Sequence, residues 1–238
     1  KLGASGITKL GGTVLTVNTP GTMTFNAATE VTDSSVTAAP GVTLEFAAAT
    51  ILQNVNLAST AGGEILFPVA TSYTGYNYGD TTIQASGLGS RIDLSHLLTF
   101  DGGGGYVDSH GYGHAYATYV NALAGGKVDL SGVLNANGGY GNIITADGAD
   151  SELRVAGVTS LAATSVSVQG GSLVTFDSAS LLSNVGLYAD GGGQILFPVA
   201  TSYTGNNYAD TTIVASGAGS RIDLSHLLTF DGGGGYVD

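Results

Sequence analysis

Cysteine and tryptophan are both missing from this chain, and lysine and arginine together number only 6 of 238 residues. The lack of cysteine removes disulfide frameworks, thiol nucleophiles and the Cys-based zinc motifs. It leaves an oxidising compartment open, because a long repeat core supplies the stability that disulfides give small domains. The scarcity of cations bears on partners. With 18 acidic residues the formal charge is -12 and the pI about 4.3, so a nucleic-acid backbone is excluded as a partner by repulsion. Charged residues of both signs make up only 10% of the chain, too few to cover the outer faces of amphipathic helices. Long apolar runs are lacking too: none approaches the roughly 18 residues of a membrane helix. Residues Lys1 to Gly6 contain no signal-peptide hydrophobic region, and no targeting tail is seen.

Glycine is what the chain has in abundance, 39 residues set among Ser, Thr, Val and short apolar pairs. That mixture is typical of all-β proteins with many tight turns.

The order of these residues is repetitive at two scales. Segment 65–108 recurs almost unchanged as 195–238, both reading ILFPVATSYTG, then DTTI, then GSRIDLSHLLTFDGGGGYVD. The offset of about 130 residues is too long for one turn of a solenoid, so a shorter unit must lie inside it. Apolar-x-apolar pairs that follow small or Gly-rich turns reveal it: Met23/Phe25, Leu44/Phe46, Ile65/Phe67, Ile92/Leu94, Val128/Leu130, Leu153/Val155, Val174/Phe176, Ile195/Phe197 and Ile222/Leu224. Their spacings run about 21, 21, 27, 36, 25, 21, 21 and 27 residues, and five such units make the longer period. Each unit carries a second apolar pair, such as Val55/Leu57 or Val185/Leu187, and a middle residue such as Leu52, Leu182 or the Leu97-Leu98 pair. Period-two alternation puts each pair on one face of a short strand. Two or three strands per turn with Gly at the corners describe a coil whose neighbours stack as parallel strands, placing Phe25, Phe46 and Phe67 in one column that Phe176 and Phe197 continue. A β-propeller needs four strands and about 40 residues per blade, more than these units offer. The crossover preference of parallel strands sets the expected hand. The expected fold is therefore all-β, a right-handed parallel β-helix or β-solenoid. Its coils run to about 21–27 residues, with one longer looped coil, and residues 1–238 form a single continuous segment. The chain reads as ending in mid-coil, so a parent protein longer than this segment is the expectation.

The coils GSRIDLSHLLTFDGGGG and GGKVDLSGVLNANGG resemble the β-helix repeats of very large bacterial cell-surface and adhesin-like proteins. The resemblance covers nearly the whole chain, through motifs that mostly encode coil geometry. It implies an extracellular or cell-surface location and a structural or adhesive role. Fold alone does not fix function, since β-helices also carry lyases and tailspikes.

Tyrosine-rich excursions are the candidate binding surface. Tyr73, Tyr76 and Tyr78 share one, matched by Tyr203 and Tyr208 in the second copy, while Tyr106, Tyr112, Tyr116 and Tyr119 fall in the longest, roughly 101–119. Aromatic rings with polar tips suit sugar stacking, and Tyr73, Tyr76, Tyr78, Tyr203, Tyr208, Tyr112 and Tyr116 are the carbohydrate-binding candidates. The competing reading packs them over neighbouring coils. Asp108, His110 and His114 make a polar cluster in a Gly-rich loop without a clear third ligand, so no metal site is assigned. The glycine runs 102–105 and 232–235 precede neither Gly-Lys-Ser/Thr nor a helix, and are not phosphate loops. No cofactor is assigned; calcium is the one ion the oxygen-rich composition leaves open, on carboxylates such as Asp80, Asp93 and Asp101. An enzyme would need a unique constellation, yet Arg91, Asp93 and Asp101 recur as Arg221, Asp223 and Asp231. The reading is a non-enzymatic solenoid: a spacer, stalk or filament segment whose partners are neighbouring coils or further copies end to end. Surface glycans on the tyrosine loops are the alternative.

Overall fold

The computed structural model describes residues 4, 6–206 and 210–233, with residues 139 and 140 represented by their backbone alone. It is an all-β solenoid of about nine turns, without a helix among the described residues. Each turn contributes three strand segments. The first and second are often one strand bent at a corner, as in Glu30–Ala38, Ile51–Thr60, Ser160–Gln169 and Leu181–Asp190. Elsewhere the bend opens and the strand divides, as between Ser72–Thr74 and Thr81–Ser86 or between Thr99–Asp101 and Thr118–Leu123. The third segment is short, for example Glu64–Leu66, Arg91–Asp93 and Lys127–Asp129. Among the described residues every pairing between turns is parallel, with one shift of register between Asn137 and Asn142; one antiparallel pair, Gly104–Val107 with Gly113–Tyr116, forms a hairpin outside the stack.

Period-two alternation places one residue of each pair inside, and stacking then turns like positions into columns. Leu44, Ile65, Ile92, Val128 and Leu153 are successive partners in one column, and none is more than 4% exposed. Next to it, Phe25 stacks on Phe46 at 4.5 Å and Phe46 on Phe67 at 4.7 Å, with ring planes within 9° of parallel. The column passes through buried Leu94, Leu130 and Val155 to Phe176 and Phe197, stacked at 4.7 Å. The expected phenylalanine column is therefore present. Of the Leu97-Leu98 pair only Leu97 points inward; Leu98 is half exposed and sits in an outer column.

Turns approach so closely at one corner that a side chain would not fit. A Cβ at Gly193 would lie 1.9 Å from the carbonyl oxygen of Val168 in the preceding turn, which explains glycine there without appeal to its dihedral freedom.

Candidate functional site

Every excursion of more than one residue leaves the described solenoid from one corner, the bend between the first and second segments. In the tightest turns a single residue in the left-handed conformation makes that bend: Asp33 (φ 50°), Asn54 (φ 51°), Ala163 (φ 46°) and Asn184 (φ 52°). Asp and Asn tolerate this region through local hydrogen bonding, and the Asn54 amide donates to the Asp33 carboxylate of the turn before at 2.9 Å. The strand registers show what replaces that one residue elsewhere: residues 75–80, 102–117, 138–141 and 205–210. The longest of these is the hairpin.

Residues 75–80 and the hairpin are built against each other. Gly75 donates its N–H to the Asp101 carbonyl at 2.8 Å, and the Asp80 carboxylate accepts the Ala117 N–H at 2.8 Å. A Cβ at Gly104 would fall 2.4 Å from the Tyr76 carbonyl oxygen. At Gly103 (φ +72°) it would fall 2.4 Å from the carbonyl oxygen of Gly141 in the following turn. The glycine run thus allows three turns to meet backbone to backbone. At the hairpin tip the Asp108 carboxylate accepts the N–H groups of His110 (2.8 Å) and Tyr112 (3.0 Å), and its second oxygen lies 3.2 Å from His114 Nε2. These bonds, that from Tyr112 first, hold Asp108 below the usual carboxylate range.

The two excursions assemble an aromatic strip. Tyr76 meets Tyr78 edge-on at 5.7 Å, Tyr78 lies 5.0 Å from Tyr106 at a 44° tilt, and Tyr106 stacks on His114 at 4.7 Å and on Tyr116 at 6.5 Å. Tyr78 is 62% exposed and Tyr76 36%. Tyr116 is half buried, and partial desolvation together with the neighbouring Tyr106 phenol raises its hydroxyl pKa. Tyr112 stands at the tip, 70% exposed.

Not all the candidate tyrosines belong to this surface. Tyr73 and Tyr203 are core residues, which corrects their assignment to a sugar-binding loop. Tyr73 pairs in register with inward Leu52 and stacks on Phe100 at 4.8 Å; Tyr203 pairs with Leu182 and stacks on Phe230 at 4.8 Å. Their hydroxyls are satisfied inside the coil. Tyr73 donates to the Val55 carbonyl or to Thr81 Oγ1, and Tyr203 donates to the Val185 carbonyl. Burial pushes the Tyr73 phenol up to about 12. Tyr208 lies outside the described residues. Tyr106 and His114, by contrast, form the middle of the strip. Nothing in a Gly-rich stretch of sequence tells which tyrosine faces its neighbours, so the central place of Tyr106 is visible only in the fold.

The remaining polar candidates are placed as follows. Among the described residues no group of three His, Cys, Asp or Glu side chains is arranged to hold a metal ion. Arg91 and Asp93 form an outward ion pair at 2.6 Å, and Arg221 pairs with Asp223 in the second copy. Partial burial works against the Asp93 charge, yet hydrogen bonds from Ser95 and the Arg91 guanidinium leave its pKa lowered. The other cations of the third face are paired too, Lys127 with Glu152 at 3.0 Å and Arg154 with Asp129 at 3.7 Å. No described helix is long and apolar enough to cross a membrane. Compared with protein-family models, curated proteins and solved structures, the chain finds no match.

Proposed function

We propose that this chain is a stretch of structural solenoid: a rigid spacer, stalk or filament segment of a large, repetitive bacterial surface protein. The observation that supports the reading is where the molecule varies and where it does not. Interior columns run through every described turn, while the long insertions leave from a single corner; the corner between the second and third segments varies by one residue, 61–63 against 87–90. Such a design extends by adding turns and tolerates decoration without disturbing the stack. On this reading the partners of each turn are other turns, in the same chain or in further copies. Arg91, Asp93 and their counterparts in the second copy are surface ion pairs, each within a single strand, and take no part in catalysis.

Location is the part of the proposal most directly tested. Brief protease treatment of intact source cells should release peptides of this sequence, from a polypeptide much heavier than 23.6 kDa. Peptides that appear only after lysis would overturn the surface assignment.

A further inference from the structure

Beyond a spacer role, we propose that the strip formed by Tyr78, Tyr106 and Tyr116, with Tyr76 at its edge, is a binding site for an uncharged saccharide chain. Tyr78 presents the open ring. Tyr106 lies beside it at 5.0 Å and is itself backed by His114 at 4.7 Å, so the rings support one another and leave Tyr78 free. A pyranose ring offers apolar C–H faces to an aromatic plane and hydroxyls to the phenol tips around it, and tyrosine satisfies both demands.

Three observations favour a ligand over simple coverage of the coil. First, the strip is not needed by the fold. Turns with Asp33, Asn54, Ala163 or Asn184 at the same corner close without it. Second, it is held in place before any ligand arrives. Asp80 ties its base to Ala117, Asp108 ties its tip to His110, Tyr112 and His114, and the glycine contacts leave no slack between turns. Pre-organisation of this kind lowers the ordering cost of binding. Third, the charge around it selects the ligand. Asp80 and Asp108 are the acidic side chains that anchor the strip, whereas Arg91, Lys127 and Arg154 lie on the third face and are paired with carboxylates. Polyuronates, sulfated glycans, nucleic acids and anionic lipid surfaces meet repulsion here, and a neutral glycan does not.

The test is calorimetric titration of the intact chain with neutral hexasaccharides of β-linked glucose, N-acetylglucosamine and xylose, and with hexagalacturonate as the anionic counterpart. Tyrosine fluorescence gives a second readout that no tryptophan obscures. The expected result is saturable binding of at least one neutral probe, weakened about tenfold or more by Tyr78→Ala at an unchanged melting temperature. Leu88→Ala, an exposed residue at the corner between the second and third segments and outside the strip, should leave binding as it was. The proposal is overturned by no saturable binding of any neutral probe at millimolar concentration. It is equally overturned by affinity that survives Tyr78→Ala, or by preference for hexagalacturonate. None of these outcomes touches the spacer reading, which stands or falls on surface release.

Discussion

Within each turn, the size of one inward residue is compensated three positions later. Where Phe25, Phe46, Phe67, Phe176 and Phe197 occupy the first position, Ala28, Ala49, Ala70, Ala179 and Ala200 occupy the second. Where the first is Leu94, Leu130 or Val155, the second is Leu97, Val133 or Val158. A turn hydrogen bond joins the two positions, as from the Leu97 N–H to the Leu94 carbonyl at 3.1 Å. Close-packed interiors feel a change of even one methylene, so a ring at one position goes with a methyl at the other, and elsewhere two branched aliphatic residues share the space. Phe46→Ala should cost about 3–5 kcal/mol in urea unfolding, and Ala49→Leu about 1–3 kcal/mol by overpacking. Combining Phe46→Leu with Ala49→Val, the pairing found naturally at Leu130 and Val133, should lose less than Ala49→Leu alone. Tyr73 adds a pH dependence at the same scale. Its phenol is raised from 10.0 to about 12, so the folded state keeps the proton that the unfolded chain sheds. The stabilisation is complete below pH 10 and is lost as pH rises from there through about 12. Tyr73→Phe should flatten the fall in stability across that window.

At the scale of the element, the corner between the first and second segments behaves as a socket. One left-handed residue closes it in five of the described turns, Gly12 (φ 59°) doing so in the first, and segments of varied length open it in others. Because Asp101 aligns with Ser183 and Thr118 with Val185 through the intervening turns, residues 102–117 occupy the place of Asn184. Replacing 102–117 by a single Asn should therefore preserve the solenoid. The expected change is no more than about 1 kcal/mol, since a shorter loop costs less to close while the ring contacts are lost. Circular dichroism and the melting transition would report this, and collapse of the β signal would mean the hairpin supports the stack. Removing it should also abolish saccharide binding.

For the molecule as a whole, stability is a sum over neighbouring turns rather than the property of one central core. The outward charges contribute little to it: Lys127 with Glu152 is a partly exposed pair of the kind worth about 0–1 kcal/mol, and Arg154 reaches the nearly buried Asp129 only at 3.7 Å. Their order matters more for register, since Glu64, Arg91, Lys127 and Glu152 follow one another as partners in one outer column. The near-identity of the sequences from Ile65 and from Ile195 allows one five-turn unit to be spliced onto another without a new junction. Each added unit should lengthen the particle by about 24 Å, five turns of roughly 4.8 Å, at constant cross-section in small-angle scattering. The urea midpoint should rise with the first additions and then level off. A particle that grew in width instead would be incompatible with a spacer.

The recurrence of alternating apolar pairs, at 21 residues in the tightest turns, determined the solenoid, its turn length, and the phenylalanine column through Phe25, Phe46 and Phe67. Periodicity carries that information because inward and outward positions alternate along a strand and repeat from turn to turn. It failed where a loop of arbitrary length interrupts the alternation. Parity on the far side of a turn cannot be counted through glycines, so Tyr73 and Tyr203 looked like loop residues although they stack beneath Leu52 and Leu182. Nor could the sequence show that residues 75–80 and 102–117 leave from the same corner in consecutive turns. That juxtaposition brings Tyr78 to Tyr106 and makes a surface out of two separate loops. Only the stacking of turns decided it, because the contact runs across the turns, at right angles to the chain.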